Sequence, residues 1–359
     1  MDARARLSLA TYDGTIIGDV SFDELGVVKS VEGPDVMLVT CKIDQPVFNL
    51  MSFDDYLDKR LILERAGVNV ANLRTESTCF IRKVTFSRDT FTMRAYGPEY
   101  ILDSRIVAYP ADSTQSSKTN HIDDLMKEIV LENLGASASD AARIISGLTV
   151  EADQSACSSI SKDFAHDNVL NALMNLQEQS RNVGTEIFFR MIKNGTGWIF
   201  KTYPSRIGAD RRGLGLNLSE VNENFIVESV GIEASEEITY MYAGGAGVEA
   251  ARLIGTASDT TRIALSPYNR REAFYSASLA QTQASIDSSA QQELNRRRAA
   301  RIFAGEIQER ESWRYGVEWD FGDILQAEHL GQTYDVMVRN VMITIQPGGE
   351  FISARVEVE

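Results

Sequence analysis

A mainly β fold with α insertions (α+β), made of two β-barrel-like domains and a small helical domain, is what this 359-residue sequence predicts. Three observations carry that prediction. Strand patterns recur over residues 35–43, 78–95 and 334–358, near both ends of the chain. Between them, residues 122–134 switch to the 3.6-residue period of an amphipathic helix. The hydrophobic share of 43% is enough for two or three cores of ordinary size.

Taken in order, the first element is Asp35 to Ile43. It sets Val36 and Leu38 against Met37, Val39 and Cys41 with little polarity, as a strand covered on both faces would. Thr78 to Phe86 places Phe80, Val84 and Phe86 on one face. Ser87-Arg88-Asp89-Thr90 turns the chain, and Phe91, Met93 and Ala95 return as a hairpin. These strands define a first β domain over residues 1–115. Ala111 to Thr119, rich in Ser and Thr, reads as a linker.

The helical domain spans residues 116–185. Ile122, Leu125, Met126, Ile129, Val130 and Leu134 form one stripe, with Asn120 as its cap and Gly135 as its stop. Asp123 and Asp124 suit the positive end of the helix dipole. A short second helix is expected from Ser139 to Gly147, and a third from Asp167 to Gly184. Residues 186–359 form the second β domain, with strands at 186–191, 198–203, 225–230 and 237–242. Residues 279–303 are poor in β-branched side chains and read as a long helix striped by Ile286, Ala290 and Leu294. The chain closes on a hairpin, Tyr334–Ile345 and Phe351–Val358, turning at Pro347-Gly348-Gly349. No repeat of 20–50 residues is visible.

The net charge of −15 is spread over all three segments rather than gathered in a tail. Such a surface repels phosphate and argues against a dedicated nucleic-acid binder. No stretch reaches the ~18 apolar residues of a membrane span, and no apolar segment follows the charged N-terminus as in a signal peptide. Membrane insertion is therefore not expected, and the chain reads as one that folds in the cytoplasm where it is made. Cys41, Cys79 and Cys157 are odd in number and far apart, unlike disulfide or zinc spacing, and read as buried thiols.

The motifs that resemble chemistry are weak. Gly245-x-Gly247-x-x-Ala250 follows a strand, but the next acid, Asp259, comes too early for a dinucleotide site, and the flanks lack a βαβ pattern. A glycine-dependent loop is the better reading. Ser159-Ile-Ser-Lys162 matches S-x-x-K without any companion motif. Asp54-Asp55 and Asp123-Asp124 are sequence neighbours, whose side chains diverge and so make poor acid/base pairs. No catalytic residue, cofactor site or metal site stands out. One basic cluster does: Arg296, Arg297, Arg298 and Arg301. It lacks the interleaved aromatics of a nucleic-acid surface. It reads either as a solvated helix face or as a subunit interface paired with acids.

Three stretches together resemble the hub proteins of siphophage and prophage tail tips, similar in plan to the barrel-ring hubs of contractile tails. They are Thr92–Val107, His121–Gly135 with Arg143 beyond, and a C-terminal block. That block contains Tyr242-Ala-Gly-Gly-Ala-Gly, Asn269-Arg-Arg-Glu-Ala-Phe, Gly316–Leu325 with its Asp320-Phe-Gly322-Asp323 turn, and Asp335-Val-Met-Val-Arg. The resemblance covers most of the chain in consistent order and is weakest over the first ~70 residues. It implies a non-catalytic virion protein without cofactor, acting as a homotrimer. Each subunit would supply two barrel-like tube domains to a pseudo-sixfold ring. The ring would join the tail tube or distal tail protein above to a fibre or spike below, with DNA passing through the lumen unbound. The rival expectations are a phage-associated cell-wall hydrolase and a carbohydrate-binding adhesin.

Overall fold

The computed structural model describes residues 5–43, 56, 59–66, 73–109, 113, 115–215, 217–247, 252–278, 280 and 282–358. The N-terminal part supplies β1 (Ala5–Ala10), β2 (Ile16–Asp19), β3 (Glu24–Ser30) and β4 (Val36–Lys42). It continues with β5 (Arg60–Ala66), β6 (Leu73–Phe86) and β7 (Thr90–Tyr96). A middle part follows, with β8 (Ser116–His121), α1 (Ile122–Asn133), β9 (Leu148–Val150), β10 (Ser159–Phe164) and α2 (Val169–Asn182). The C-terminal part opens with β11 (Ile187–Asn194), β12 (Gly197–Pro204), β13 (Asn217–Ser219) and β14 (Phe225–Glu233). Then come β15 (Tyr240–Gly244), β16 (Ile254–Ser258), α3 (Thr260–Ala264), β17 (Glu272–Ser276) and α4 (Gln283–Arg296). It ends with β18 (Ala300–Gln308), β19 (Ile324–His329), β20 (Gln332–Gln346) and β21 (Gly349–Val358).

The two ends of the chain share one sheet. Its strands run β14-β18-β21-β20-β3-β4-β7-β6-β5-β1-β2, with β19 on β20 and β13 on β19. The join is β20 against β3, antiparallel from Asn340↔Ser30 to Ile345↔Leu25. One apolar core therefore runs across the seam, from Leu25, Val27 and Met37 to Val341, Ile343 and Val356, all buried. The expected β-rich class with helical insertions is what the structure has. The described sheets are open rather than closed into barrels, with β14 and β2 at the ends of the large one.

The middle part builds its own core from α1, α2, β9, β11 and β12, in which Ile122, Leu125, Leu173, Phe189 and Phe200 are buried. A third, smaller core sits under α4, where Ile286, Ala290 and Leu294 are fully buried against the β15–β16–β17 sheet. That stripe is the one the sequence shows. Its helix is shorter than expected, because α4 ends at Arg296 and residues 300–308 become β18.

Several other local expectations are corrected. β4 alternates instead of being covered on both faces, and Leu38 is half exposed. A bulge between Ile81 and Lys83 breaks the phase of β6. Phe80 consequently packs on the middle core, whereas Val84 and Phe86 pack on the main one. The second half of the supposed linker is β8, which pairs with β10 from Ser116↔Phe164 to His121↔Ser159. The helix expected from Ser139 is only a 3-10 turn over Ala141–Arg143, capped by Asp140. Among the described residues no helix is long and apolar enough to cross a membrane.

Candidate interaction site

The arginine cluster straddles the end of α4 and the start of β18. Arg296 and Arg297 both turn back onto Glu293, three and four positions earlier and so one helical turn away, with Arg296 Nε at 3.0 Å and Arg297 Nε at 3.3 Å. Those bonds hold the Glu293 carboxyl below its usual range, the Arg296 bond being the largest cause. Arg298 lies 3.6 Å from Asp259. Arg301 differs: among the described residues it has no acid within ion-pair distance, and its cross-strand neighbour is Ile232 of β14. Three of the four cations are thus engaged by their own chain, and the fourth lies beside the open edge of the large sheet.

Arg301 also lines an open groove of about 800 Å³ that runs past Arg355 and Glu357 to Arg339 and Arg181. The floor of that groove is an ionic cluster assembled from three distant parts of the chain. Glu186 accepts from Arg339 and Arg181, both at 2.7 Å, and from Gln177 at 3.1 Å. Glu32 accepts from Arg181 at 2.8 Å. Burial alone would raise the Glu186 carboxyl, but the two arginines outweigh it and bring it down. This cluster fastens the end of α2 to β20 and to the loop after β3. Sequence reading missed it, because its members are some 150 residues apart and carry no local signature.

Two further buried clusters lie at the seam between the sheet halves. Glu76 accepts from Lys29 at 2.8 Å and from the Tyr315 hydroxyl at 2.7 Å, with Arg65 and Arg74 at 3.5 and 3.4 Å. Burial disfavours its charge, yet Lys29 and the other donors prevail and hold it at about 2. Asp323, from the Asp320-Phe-Gly322-Asp323 turn, accepts from the amides of Ala209 at 2.6 Å and Asp320 at 2.8 Å, and from Arg211. Gly322 has φ +78°, a conformation that favours glycine, and its carbonyl accepts from the Gly208 amide at 3.0 Å. The turn is therefore a clasp between β19 and residues 207–211.

The weak chemical motifs resolve as structure. Asp123 and Asp124 are fully buried and hold the loop before β10. They accept from the amides of Ala156, Gln154 and Ser155 at 2.8–3.1 Å and flank Lys127. They sit in the first turn of α1, as expected, and anchor that loop as well. Asn120 does not cap α1: the cap position is His121, and the Asn120 side chain accepts from its amide. Ser159 and Lys162 lie on strand β10, and an odd spacing on a strand points them to opposite faces. The glycines of the 244–255 region serve packing. A Cβ on Gly245 would overlap Ile286, and one on Gly255 would come within 2.5 Å of Asp287. Gly247 has φ +107°. Ala250 and Asp54-Asp55 lie outside the described residues. Among the described residues no set of three or more His, Cys, Asp or Glu side chains could hold a metal ion.

Comparison with known proteins adds the family. Three solved structures share the whole fold. They are the 43 kDa tail protein of prophage MuSo2 from Shewanella oneidensis, a tail protein from Neisseria meningitidis MC58, and prophage tail protein gp18 from Listeria monocytogenes EGD-e. Identities are 10%, 11% and 12%, and TM-scores 0.57, 0.55 and 0.52. The matches cover 98–99% of this chain and 94–98% of the others. At those identities the likeness is one of fold. No curated protein matches by sequence. The sequence profile described as "Siphovirus ReqiPepy6 Gp37-like protein" matches residues 50–356, most of the chain. The open sheet that joins both ends of the polypeptide is thus the architecture of a phage tail protein, and the chain belongs to the Siphovirus ReqiPepy6 Gp37-like family.

Proposed function

We propose that this chain is the structural hub at the tip of a siphophage tail, three copies closing a pseudo-sixfold ring. The ring joins the tail tube or distal tail protein to a central fibre or spike. The observation that carries the reading is the β20–β3 pairing, which sets an N-terminal and a C-terminal β half side by side in every chain. Three chains then offer six such halves to a sixfold tube above and threefold symmetry below. The two barrel-like tube domains are a property of that ring: sheet edges open in one chain are covered by the next. The −15 charge supports a lumen past which DNA slides without sticking.

The test is the copy number in assembled tails, counted by quantitative mass spectrometry. Three copies are expected; six or one would end the pseudo-sixfold argument. The purified chain is also expected to leave a peptidoglycan zymogram uncleared, whereas clearing would favour the cell-wall hydrolase.

A further inference from the structure

We infer that the free edge of β14 is the surface by which one copy of this chain takes up the next, and that its occupant is β2 of that second copy. The inference rests on the trimeric reading and names its contact.

The first observation is phase. β14 carries a bulge between Val227 and Ser229. Because of it, the residues opposite Ile307, Gly305, Phe303 and Arg301 of β18 are Phe225, Val227, Val230 and Ile232. All four share one face of the sheet, since cross-strand partners point the same way. Over the first half that face is core: Phe225 and Phe303 are buried and stacked 5.8 Å apart. Over the second half it stays apolar but loses its cover, with Val230 40% and Ile232 73% exposed. An extra residue that keeps an apolar face in register is wasted on a strand that ends in water.

The second observation is the edge. β14 is nine residues long, carries no proline or lysine, and beyond its bulge has Glu233 as its one charged residue, so little blunts that half of the edge. Among the described residues it pairs with β18 alone, and β2, at the far end of the same sheet, pairs with β1 alone.

The third is direction. Each of the ten pairings from β14 to β2 is antiparallel. An even number of reversals leaves β14 and β2 running the same way. Rotation about an axis along the strands therefore brings β14 beside β2 of the next copy as a parallel pair, a head-to-tail contact that closes a ring. Pairing β14 with itself would be antiparallel, would stop at two copies and would leave both β2 ends open.

Charge agrees with the head-to-tail arrangement. Among the described residues Arg301, opposite Ile232, has no acid within ion-pair distance, so a neighbouring copy can supply one.

The experiment uses the full chain across a concentration series, read by sedimentation velocity and native mass spectrometry. Ile232→Lys and Val230→Lys put charge on exposed positions that the monomer tolerates, and are expected to weaken the trimer at least tenfold. Tyr268→Lys, an exposed change away from this edge, is expected to leave it unchanged. Ile232→Cys with Ile17→Cys, both on the core side of the sheet, treated with a bis-maleimide, is expected to give covalent species that stop at three, since Cys41, Cys79 and Cys157 are buried. A trimer indifferent to both lysines overturns this contact and leaves the hub reading standing. Cross-linked dimers from Ile232→Cys alone also overturn it, in favour of self-pairing. A monomer at every concentration, with one copy per tail, overturns both.

Discussion

Single charged side chains fix this molecule at its seams, and Glu76 shows how. Its carboxyl sits at about 2, although burial opposes its charge, because Lys29, Tyr315 and Arg65 converge on it. A carboxyl depressed in the folded state stabilises the fold above its unfolded value and loses that contribution as pH falls through the folded value. The drop from an ordinary 4.5 corresponds to about 3 kcal/mol, fully present above pH ~5 and gone near pH 2. Glu99, Glu350 and Asp323 act the other way, since burial raises each of them. Stability from these three rises as pH falls through their elevated range. Urea midpoints from pH 7 to pH 2 are therefore expected to hold through mild acid and then fall steeply. Glu76→Gln, which strands Lys29 and Arg65 in the interior, is expected to cost about 3–5 kcal/mol at pH 7. Its midpoint should converge on that of the wild type near pH 2. Asp323→Ala frees three donors at the β19 clasp and is expected to cost about 2–4 kcal/mol by the same measurement.

Among the elements, α4 and its sheet form a small core with a close fit at Gly245. Ile286 is fully buried and lies where a Cβ on Gly245 would have to go. Gly245→Ala is expected to destabilise by about 1–3 kcal/mol through overpacking, and Ile286→Ala by about 2–5 kcal/mol through the cavity it leaves. The two changes share one volume, so the double variant should be more stable than the sum of the two losses predicts. A double-mutant cycle measures that coupling; strict additivity would show that Gly245 matters for backbone freedom alone. The arginines at the end of α4 belong to the same scale. Arg296 and Arg297 are tied to Glu293, so charge reversal there should chiefly loosen the helix end. Arg301→Glu should leave thermal stability near wild type and weaken the oligomer, because among the described residues Arg301 has no acidic partner. The interface role proposed for the cluster then rests on Arg301 more than on the other three.

For the whole molecule, the β20–β3 ladder makes two chain halves one folding unit. Residues 24–30 and 340–346 must find each other before that core closes. Ile343 is fully buried and opposite Val27, and Ile343→Ala is expected to cost about 2–5 kcal/mol. Amide exchange should accelerate in β3 and β4 as well as in β20 and β21. Faster exchange confined to β20 and β21 would mean that the halves open separately.

What the sequence by itself determined is what local chemistry controls. Periodicity placed the hairpins at 78–95 and 334–358 and the helices at 122–134 and about 167–184, each within a few residues of the strands and helices found. The stripe of Ile286, Ala290 and Leu294 marked a buried helix face, and the order of motifs pointed to the tail-protein family. Where helix and strand propensities were balanced, the reading failed, as at 300–308. There the residues become a strand because β14 and β21 offer ladder partners on both sides. Residues 116–119 looked like the end of a linker because the pairing of β8 with β10 compensates for an almost wholly polar sequence. Tertiary structure alone decided which polar groups meet: Glu186 with Arg339, and Glu76 with Tyr315. Those pairings join residues more than 100 positions apart, and no local pattern encodes them, because burial and distance become defined only when the two ends of the chain share one sheet.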